Sequence, residues 1–290
     1  SQSRSPRASA TRARRPLMKA TVLGRASLVQ SSPAWNTSRR TSCMIIGSTL
    51  FKDGSFTFGI YWQFFKDSYF LDILGTTLLV SVATTLLCIL IGFPVAYYLS
   101  MMPPRKKGIL LALAIFPLLT SSVVRSFSWM IILGKNGLVN NVLIKLGIID
   151  DPLSILYTPT AMIIGLVHLF LPLILITLVG VLESIDHDLV RAAQSLGASK
   201  LTAFRKIVIP LSIPGLIVGS ILVFVGSLTA YTTPALLGGK KRVVATFLYQ
   251  NAITLNDWQA ASAIATIMMI ITFIVIGLMN KAAAKFNPKG

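Results

Sequence analysis

Charged residues are scarce in this chain of 290 residues, of which only 12% are Asp, Glu, Lys or Arg. A soluble domain carries about a quarter, so the composition argues against a soluble globular protein. Hydrophobic residues instead make up 54% of the chain, and the mean hydropathy is +0.74. We therefore expect an integral membrane protein.

Cysteine and recognisable catalytic motifs are also nearly absent. Cys43 and Cys88 are far apart and lack metal-ligand spacing, so we expect neither a disulfide framework nor a metal site. Cys88 lies in an apolar run, where we expect it to serve packing. Because the sequence shows no phosphate-binding glycine–lysine loop and no nucleophile–base pair, we expect no catalytic residue and no cofactor.

Acidic residues number only 9 against 27 basic ones, and the formal net charge is +18 at pH 7. Nine basic residues lie in the Arg- and Ser-rich segment 1–42, and most others lie in short stretches between apolar runs. This distribution is typical of membrane topology rather than of a nucleic-acid-binding stripe. Trp35 is the single aromatic residue of segment 1–42, so nucleic-acid binding is a weak hypothesis and we expect no nucleic-acid partner.

Long uncharged runs indicate the membrane-spanning segments, because a helix crosses the hydrocarbon core with about 20 apolar residues. These runs are too long for strands and do not alternate. Arg125 interrupts only the second of them. We predict an all-α, polytopic membrane protein with five recognisable transmembrane helices, in the runs 73–104, 108–134, 152–182, 207–239 and 258–280.

The Lys and Arg residues between the runs predict orientation, since short cytoplasmic loops carry an excess of them. If the spans alternate, ten such residues fall on the side of 105–107 and 191–206, and five fall on the side of 240–242. The first side is predicted to be cytoplasmic.

Segment 1–42 conflicts with this orientation, because five spans would leave its basic residues outside. Composition changes near Ser42, and residues 43–50 look like the last turns of a further helix. We expect 1–42 to be a disordered or non-native segment, and 43–290 to form the transmembrane domain with a cytoplasmic loop at 183–206. Three explanations stay open: a first helix that is missing or altered, a targeting peptide, and a disordered basic tail.

The cytoplasmic loop contains a polar, helix-favouring stretch, RAAQSLGASKLTAFRKIVIP, over 191–210. Gly197 can end one helix with a positive φ, and Ser199 can cap a second. Pro210 then lies in the first turn of the next span. The small residues Ala192, Ala193 and Ala198 allow close approach by a partner, so we predict a docking surface. The alternative is an amphipathic loop that rests on lipid head groups.

This stretch resembles the "EAA" loop of the membrane subunits of binding-protein-dependent ABC importers. The consensus is Glu-Ala-Ala, three residues, Gly, nine residues and Ile-x-Leu-Pro, and this chain has Ala192-Ala193, Gly197 and Ile207-x-Ile209-Pro210 at that spacing. Arg191 stands where the consensus is acidic, and Ile209 replaces leucine. The resemblance implies that the loop couples to an ATP-binding subunit dimer. The residues implied in coupling are Arg191, Ala192, Ala193, Gly197, Ala198, Phe204, Ile207 and Pro210.

The resemblance extends over about residues 50–290, and the stretches 117–140, 233–239 and 256–258 are similar to the polyamine-type branch. That branch also contains phosphonate, opine, thiosulfate and ferric-ion relatives, and its members normally have six helices. The resemblance implies a bacterial inner-membrane permease subunit for a small solute, with spermidine or putrescine as the first expectation. It also implies three partners besides the lipid bilayer: the ATP-binding dimer, a second permease subunit, identical or paralogous, and an extracytoplasmic substrate-binding protein.

Polar and aromatic residues in the spans are candidates for the pathway. Arg125 either lines the path or pairs with a backbone carbonyl, and His168 is expected to bond a carbonyl freed by a nearby proline. Trp129 and Tyr231 are pathway walls or, preferably, interfacial anchors. The outer segment 233–257 is expected to contact the binding protein or to form a solvated loop.

A stand-alone secondary transporter or channel is the alternative class. Such proteins usually have repeated halves around a midplane ion site. The sequence shows neither a repeat nor an intramembrane carboxylate for proton or sodium coupling.

Overall fold

The computed structural model describes residues 51–52, 55–56 and 59–286, so the expectations for segment 1–42 and Cys43 lie outside the described residues. The chain divides into two units, Ser1–Thr57 and Phe58–Gly290. In the first, strands β1 (Phe51–Lys52) and β2 (Ser55–Phe56) form a short antiparallel pair.

The second unit is helical, which confirms the predicted all-α membrane fold. Short turns of 3-10 helix at Phe116–Leu119 and of π-helix at Phe204–Val208 and Gln250–Thr254 connect some of its helices. The helices are α1 (Gly59–Lys66), α2 (Ser68–Ser100), α3 (Pro104–Ile115), α4 (Ser122–Leu133), α5 (Leu138–Lys145), α6 (Pro159–Glu183), α7 (His187–Ser195), α8 (Lys200–Ala203), α9 (Ile209–Thr229), α10 (Thr232–Leu237), α11 (Val244–Tyr249) and α12 (Trp258–Phe286).

Four continuous helical segments among the described residues are long and apolar enough to cross a membrane. They are Ser68–Ser100, Pro159–Glu183, Lys200–Thr229 and Trp258–Lys281. The predicted second span is a bent pair instead, Pro104–Leu119 and Ser122–Lys145, whose axes meet at 96°. Counted as one span, this pair brings the total to the five predicted.

The run 108–134 therefore contains a sharp break rather than one continuous helix. Pro117 lies in the 3-10 turn and has no N–H to continue the helical ladder. Thr120 (ψ 149°) and Ser121 (ψ 135°) then leave the helical region. Two other predicted runs are too long: α6 begins only at Pro159, capped by Thr158, and α9 ends at Thr229.

Three helices, α2, α6 and α9, form the main core. Cys88, Ile174, Leu178 and Val223 are buried there, and the Cys88 thiol donates to the Val167 carbonyl at 3.9 Å, which confirms the packing role of this cysteine. Apolar interiors in lipid gain their stability from close packing and from small residues at helix contacts. The packed bundle holds the inner and outer loops at fixed positions on its two ends.

Charged pairs lie at both ends of this bundle. Lys107 and Glu183 form an ion pair at one end, and Lys241 Nζ lies 3.2 Å from Asp72 Oδ2 at the other. Each pair joins residues that the alternation of spans places on the same side of the membrane, so the contacts agree with the predicted topology.

Candidate functional site

The cytoplasmic loop folds into a helix–glycine–helix elbow, as the sequence predicts. Asp186 caps α7 by accepting from the Asp188 N–H at 2.8 Å. At the other end, the Gly197 N–H donates to the Gln194 carbonyl and the Ala198 N–H donates to the Ala193 carbonyl, both at 3.0 Å. With Gly197 at φ +90°, this is a Schellman motif, which satisfies the last carbonyls of the helix.

The second arm of the elbow is continuous with a membrane span. Ser199 Oγ accepts from the Thr202 N–H at 3.2 Å and so caps α8. The chain then passes through the π-turn at Phe204–Val208 into α9, and Lys200–Thr229 forms one helical segment of 30 residues. The second arm of the elbow and α9 thus belong to one continuous helical segment.

One face of the elbow is anchored to the bundle. The Phe204 ring packs against Tyr97, with ring centroids 4.8 Å apart, and against Phe93 at 6.1 Å. Val208 is buried and Ile207 is partly buried, whereas Pro210 is exposed in the first turn of α9. The ring contacts of Phe204 therefore hold the elbow against the bundle.

The opposite face is exposed and apolar at its tip. Leu196 is 90% exposed, Leu201 is 60% exposed and Leu189 is 49% exposed. Arg191 reaches Asp188 at 3.4 Å, but both side chains are 79% exposed, so this pair contributes little stability. Ala192 and Gly197 are exposed, and Ala193 and Ala198 are partly buried. We call the exposed set the elbow surface: Leu189, Arg191, Ala192, Leu196, Gly197 and Leu201.

The helical spacing in the sequence places Leu196 and Leu201 on the two arms of the elbow but does not identify them as its exposed tip. The sequence could have predicted their exposure, because a leucine next to a helix-ending glycine in a polar loop has no neighbouring apolar residues to pack against. Lys200, Arg205 and Lys206 are also exposed, so the elbow presents basic side chains as well as apolar ones. A surface of this kind suits a protein partner with an apolar, acidic cleft.

Three of the four pathway candidates lie near the bent pair. Arg125 is buried, and its Nη1 donates to the Pro117 carbonyl at 2.7 Å, which is the carbonyl-pairing alternative. Trp129 Nε1 donates to His168 Nδ1 at 3.3 Å, with the two rings edge to face at 5.6 Å. The expectation that His168 bonds a carbonyl freed by proline is wrong, because its hydrogen bond is instead with the indole N–H of Trp129 in the bent pair.

Tyr231 has a different environment, at the outer end of α9. Its ring packs on Tyr249 with centroids 4.5 Å apart, and the two tyrosines line two neighbouring cavities. One, of about 500 Å³, is apolar and reaches Met268, Met269 and Phe273. The other, of about 300 Å³, is lined by polar and apolar residues in similar measure, with Lys241 and Arg242 among them. Tyr231 is thus a wall between two cavities, whichever of its two expected roles it serves.

Metal-ligating side chains do not gather in the part of the chain that the structure describes: no group of three His, Cys, Asp or Glu residues could hold an ion there. The chemistry that these two regions can support is recognition, through the elbow surface on one side and the paired cavities on the other.

Known proteins share both the sequence pattern and the fold. The model of the family described as "Binding-protein-dependent transport system inner membrane component" matches residues 88–285. The spermidine/putrescine transport system permease protein PotB of Escherichia coli (strain K12) is 33% identical over 254 residues, which cover 85% of this chain and 92% of that protein. The molybdenum transport system permease protein ModB of Mycobacterium bovis is 30% identical over 209 residues, covering 69% and 76%.

Solved structures of low sequence identity have the same fold. A bacterial alginate ABC transporter in complex with a pentasaccharide-bound periplasmic protein aligns with a TM-score of 0.73 at 16% identity, over 94% of this chain and 96% of that one. The MetNI methionine ABC transporter in an inward-facing conformation aligns with a TM-score of 0.53 at 17% identity, over 79% and 96%.

Proposed function

This chain belongs to the family of binding-protein-dependent transport system inner membrane components, and we propose that its cargo is an aliphatic polyamine such as spermidine or putrescine. As a member of that family it is a multi-pass inner-membrane permease subunit of an ABC importer. A stand-alone secondary transporter or channel is therefore wrong. The similarity to PotB over most of both chains supports the polyamine cargo.

The elbow surface is proposed to dock in a cleft of the ATP-binding subunit dimer. The observation that carries this proposal is the continuity of the elbow with the span Lys200–Thr229, since a partner that moves the elbow also moves α9. Rigid-body coupling of this kind converts a local movement into a change of access across the membrane. ATP hydrolysis takes place on the partner, and this chain performs no covalent chemistry.

Two more partners complete the proposed importer. A second permease subunit, identical or paralogous, forms the other wall of the pathway, and an extracytoplasmic substrate-binding protein delivers the cargo. An elbow that only rests on lipid head groups would need no anchored face. Phe204 is instead packed between Phe93 and Tyr97, which fixes the elbow's orientation for a specific partner.

Docking is tested by Gly197→Val in the complete importer, reconstituted in proteoliposomes with its ATPase and binding protein. Space is not limiting at Gly197, but its φ of +90° is strained for any other residue, most of all a β-branched one. Strain of about 1.4 kcal/mol corresponds to about a tenfold effect, so ATPase co-purification and ATP-driven spermidine uptake should fall at least that far.

The matched control is Gly147→Val. Gly147 also has positive φ, +67°, and open space around it, but it lies far from the elbow. Equal losses in both variants would contradict docking at the elbow. The cargo is tested in the same vesicles: putrescine should compete with labelled spermidine, and competition by a phosphonate alone would assign a different solute.

A further inference from the structure

Helix α5 exposes an apolar stripe on the outer side of the molecule. Leu138, Val142 and Leu146 are 66%, 45% and 67% exposed. Their spacing of four residues places them on one face of the helix, with Leu146 at its C-terminal cap. We call these three residues the outer stripe. Because water is an unfavourable neighbour for leucine and valine, the outer stripe needs a cover that the bundle does not provide.

The other faces of α5 are either packed or polar. Val139 packs against a buried cluster formed by α4, α6 and α10. Asn140 is fully buried and ties the helix to Leu153 through two hydrogen bonds. Asn141 and Lys145 are exposed and form a polar edge beside the outer stripe. The part of α5 that is turned away from the bundle is therefore amphipathic, with an apolar stripe next to a polar one.

The bend between the two arms of the bent pair decides where this helix lies. The first arm, Pro104–Leu119, consists of 12 α-helical and 4 3-10 residues. It is about 25 Å long, which is most of the hydrocarbon core of about 30 Å. Lys107 in this arm pairs with Glu183 at the cytoplasmic end of α6, so the arm runs through the membrane beside α6. The second arm, Ser122–Lys145, leaves it at 96° and therefore lies along the outer membrane surface.

We propose that α5 is an interfacial helix that lies in the head-group region of the outer leaflet, with the outer stripe inserted into the acyl chains. Amphipathic helices in the membrane plane bury their apolar face by about 5–10 Å at this boundary. The stem of Lys145 can follow the apolar surface while its ammonium group reaches the lipid phosphates. The inference needs only a membrane protein and is independent of the cargo and of the elbow's partner.

Size and charge favour lipid over a second protein as the cover of the outer stripe. The stripe has three residues and belongs to a helix of 8, whereas a stable protein interface takes about 20–30 residues on each side. Lys135 precedes the helix and Lys145 ends it, so its charges match the phosphates of a bilayer. Because Asn140 binds Leu153, the loop that follows α5 is then held at the membrane surface as well.

Spin labelling tests this placement in the complete transporter, in nanodiscs of phosphatidylethanolamine and phosphatidylglycerol. Each residue of the outer stripe is changed to cysteine in turn, and Asn141→Cys is the matched control, because Asn141 is exposed on the polar edge of the same helix. All variants carry Cys43→Ser, and the buried Cys88 should not take the label. Oxygen concentrates in hydrocarbon, and nickel ethylenediaminediacetate stays in water. We expect the ratio of oxygen collisions to nickel-chelate collisions to be severalfold higher at the stripe than at Asn141.

A second pair of variants adds the same charge at neighbouring positions and needs no label. Val142→Asp places a carboxylate among the acyl chains, whereas Asn141→Asp places one in water. We expect Val142→Asp to lower the Tm of the transporter in these nanodiscs by about 2–4 °C or more, and Asn141→Asp to leave it nearly unchanged. Equal Tm values for the two variants would contradict the insertion of the outer stripe.

Two results of the spin-label experiment would overturn the proposal. Frequent collisions with the nickel chelate at all four positions would place α5 in water. Infrequent collisions with both reagents at the outer stripe would mean that a protein covers it, such as the second permease subunit or the binding protein. Neither result bears on the cargo or on docking at the elbow, which spermidine uptake and Gly197→Val test separately.

Discussion

At the scale of single residues, Asn140 shows how one buried amide organises a loop. Its side chain is fully buried, and Nδ2 donates to the carbonyls of Gly134 and Leu153 at 3.1 and 3.0 Å. Its Oδ1 accepts from the Leu153 N–H at 2.9 Å. The segment after α5 is thereby tied to the end of α4. The sequence places Asn140 in a family-like stretch but does not identify these partners, because one of them is 13 residues away.

We expect Asn140→Ala to destabilise the protein by about 1–3 kcal/mol, since it removes three hydrogen bonds of a fully buried side chain. Asn141→Ala is the control, because Asn141 is exposed and makes a single bond to the Asn136 carbonyl. Its cost should stay below about 1 kcal/mol. Thermal unfolding in detergent measures both, and equal effects would contradict the role of Asn140.

At the scale of elements, α9 can pack closely against α6 only because a glycine, without a side chain, lies at their contact. A Cβ added at Gly215 would lie 2.6 Å from Val181 Cγ2 and 2.7 Å from Val181 Cβ, closer than such atoms approach. Small residues let helix backbones come together in a membrane, where packing rather than water exclusion holds them. The hydrophobic pattern predicts that α6 and α9 exist, but not that they meet at this glycine.

Gly215→Ala should therefore cost about 1–3 kcal/mol through overpacking, measured as loss of thermal stability. Gly75→Ala in α2 is the control, because the added methyl meets open space and should be neutral or stabilising by up to about 1 kcal/mol. Combining Gly215→Ala with Val181→Ala should restore part of the stability. A double variant less stable than the sum of both changes would refute the contact.

At the scale of the whole molecule, the two ends of the bundle differ in the charged residues that they carry. The elbow carries Lys200, Arg205 and Lys206, whereas the other end carries Lys240 and the Lys241–Asp72 pair. Short loops rich in Lys and Arg stay in the cytoplasm. The elbow surface and the two cavities beside Tyr231 and Tyr249 are thus on opposite sides of the membrane.

This topology predicts opposite labelling of two engineered cysteines. Lys240→Cys should react with a membrane-impermeant maleimide from outside intact cells, and Lys200→Cys only after the membrane is opened. Both variants also carry Cys43→Ser, so that only the engineered cysteine can react. The other native cysteine, Cys88, is fully buried in the core and should not react. Labelling of both positions from one side would contradict the alternation of spans.

The sequence by itself determined the membrane class, the approximate position of the spans and the elbow. These features depend on local quantities: the length of uncharged runs, the backbone freedom of Gly197 and the capping hydroxyl of Ser199. Only the tertiary structure decided the 96° bend, the partner of His168 and the cavity wall that joins Tyr231 to Arg242. Those depend on contacts between residues far apart in the chain, such as Trp129 with His168 and Lys241 with Asp72, which no local pattern specifies.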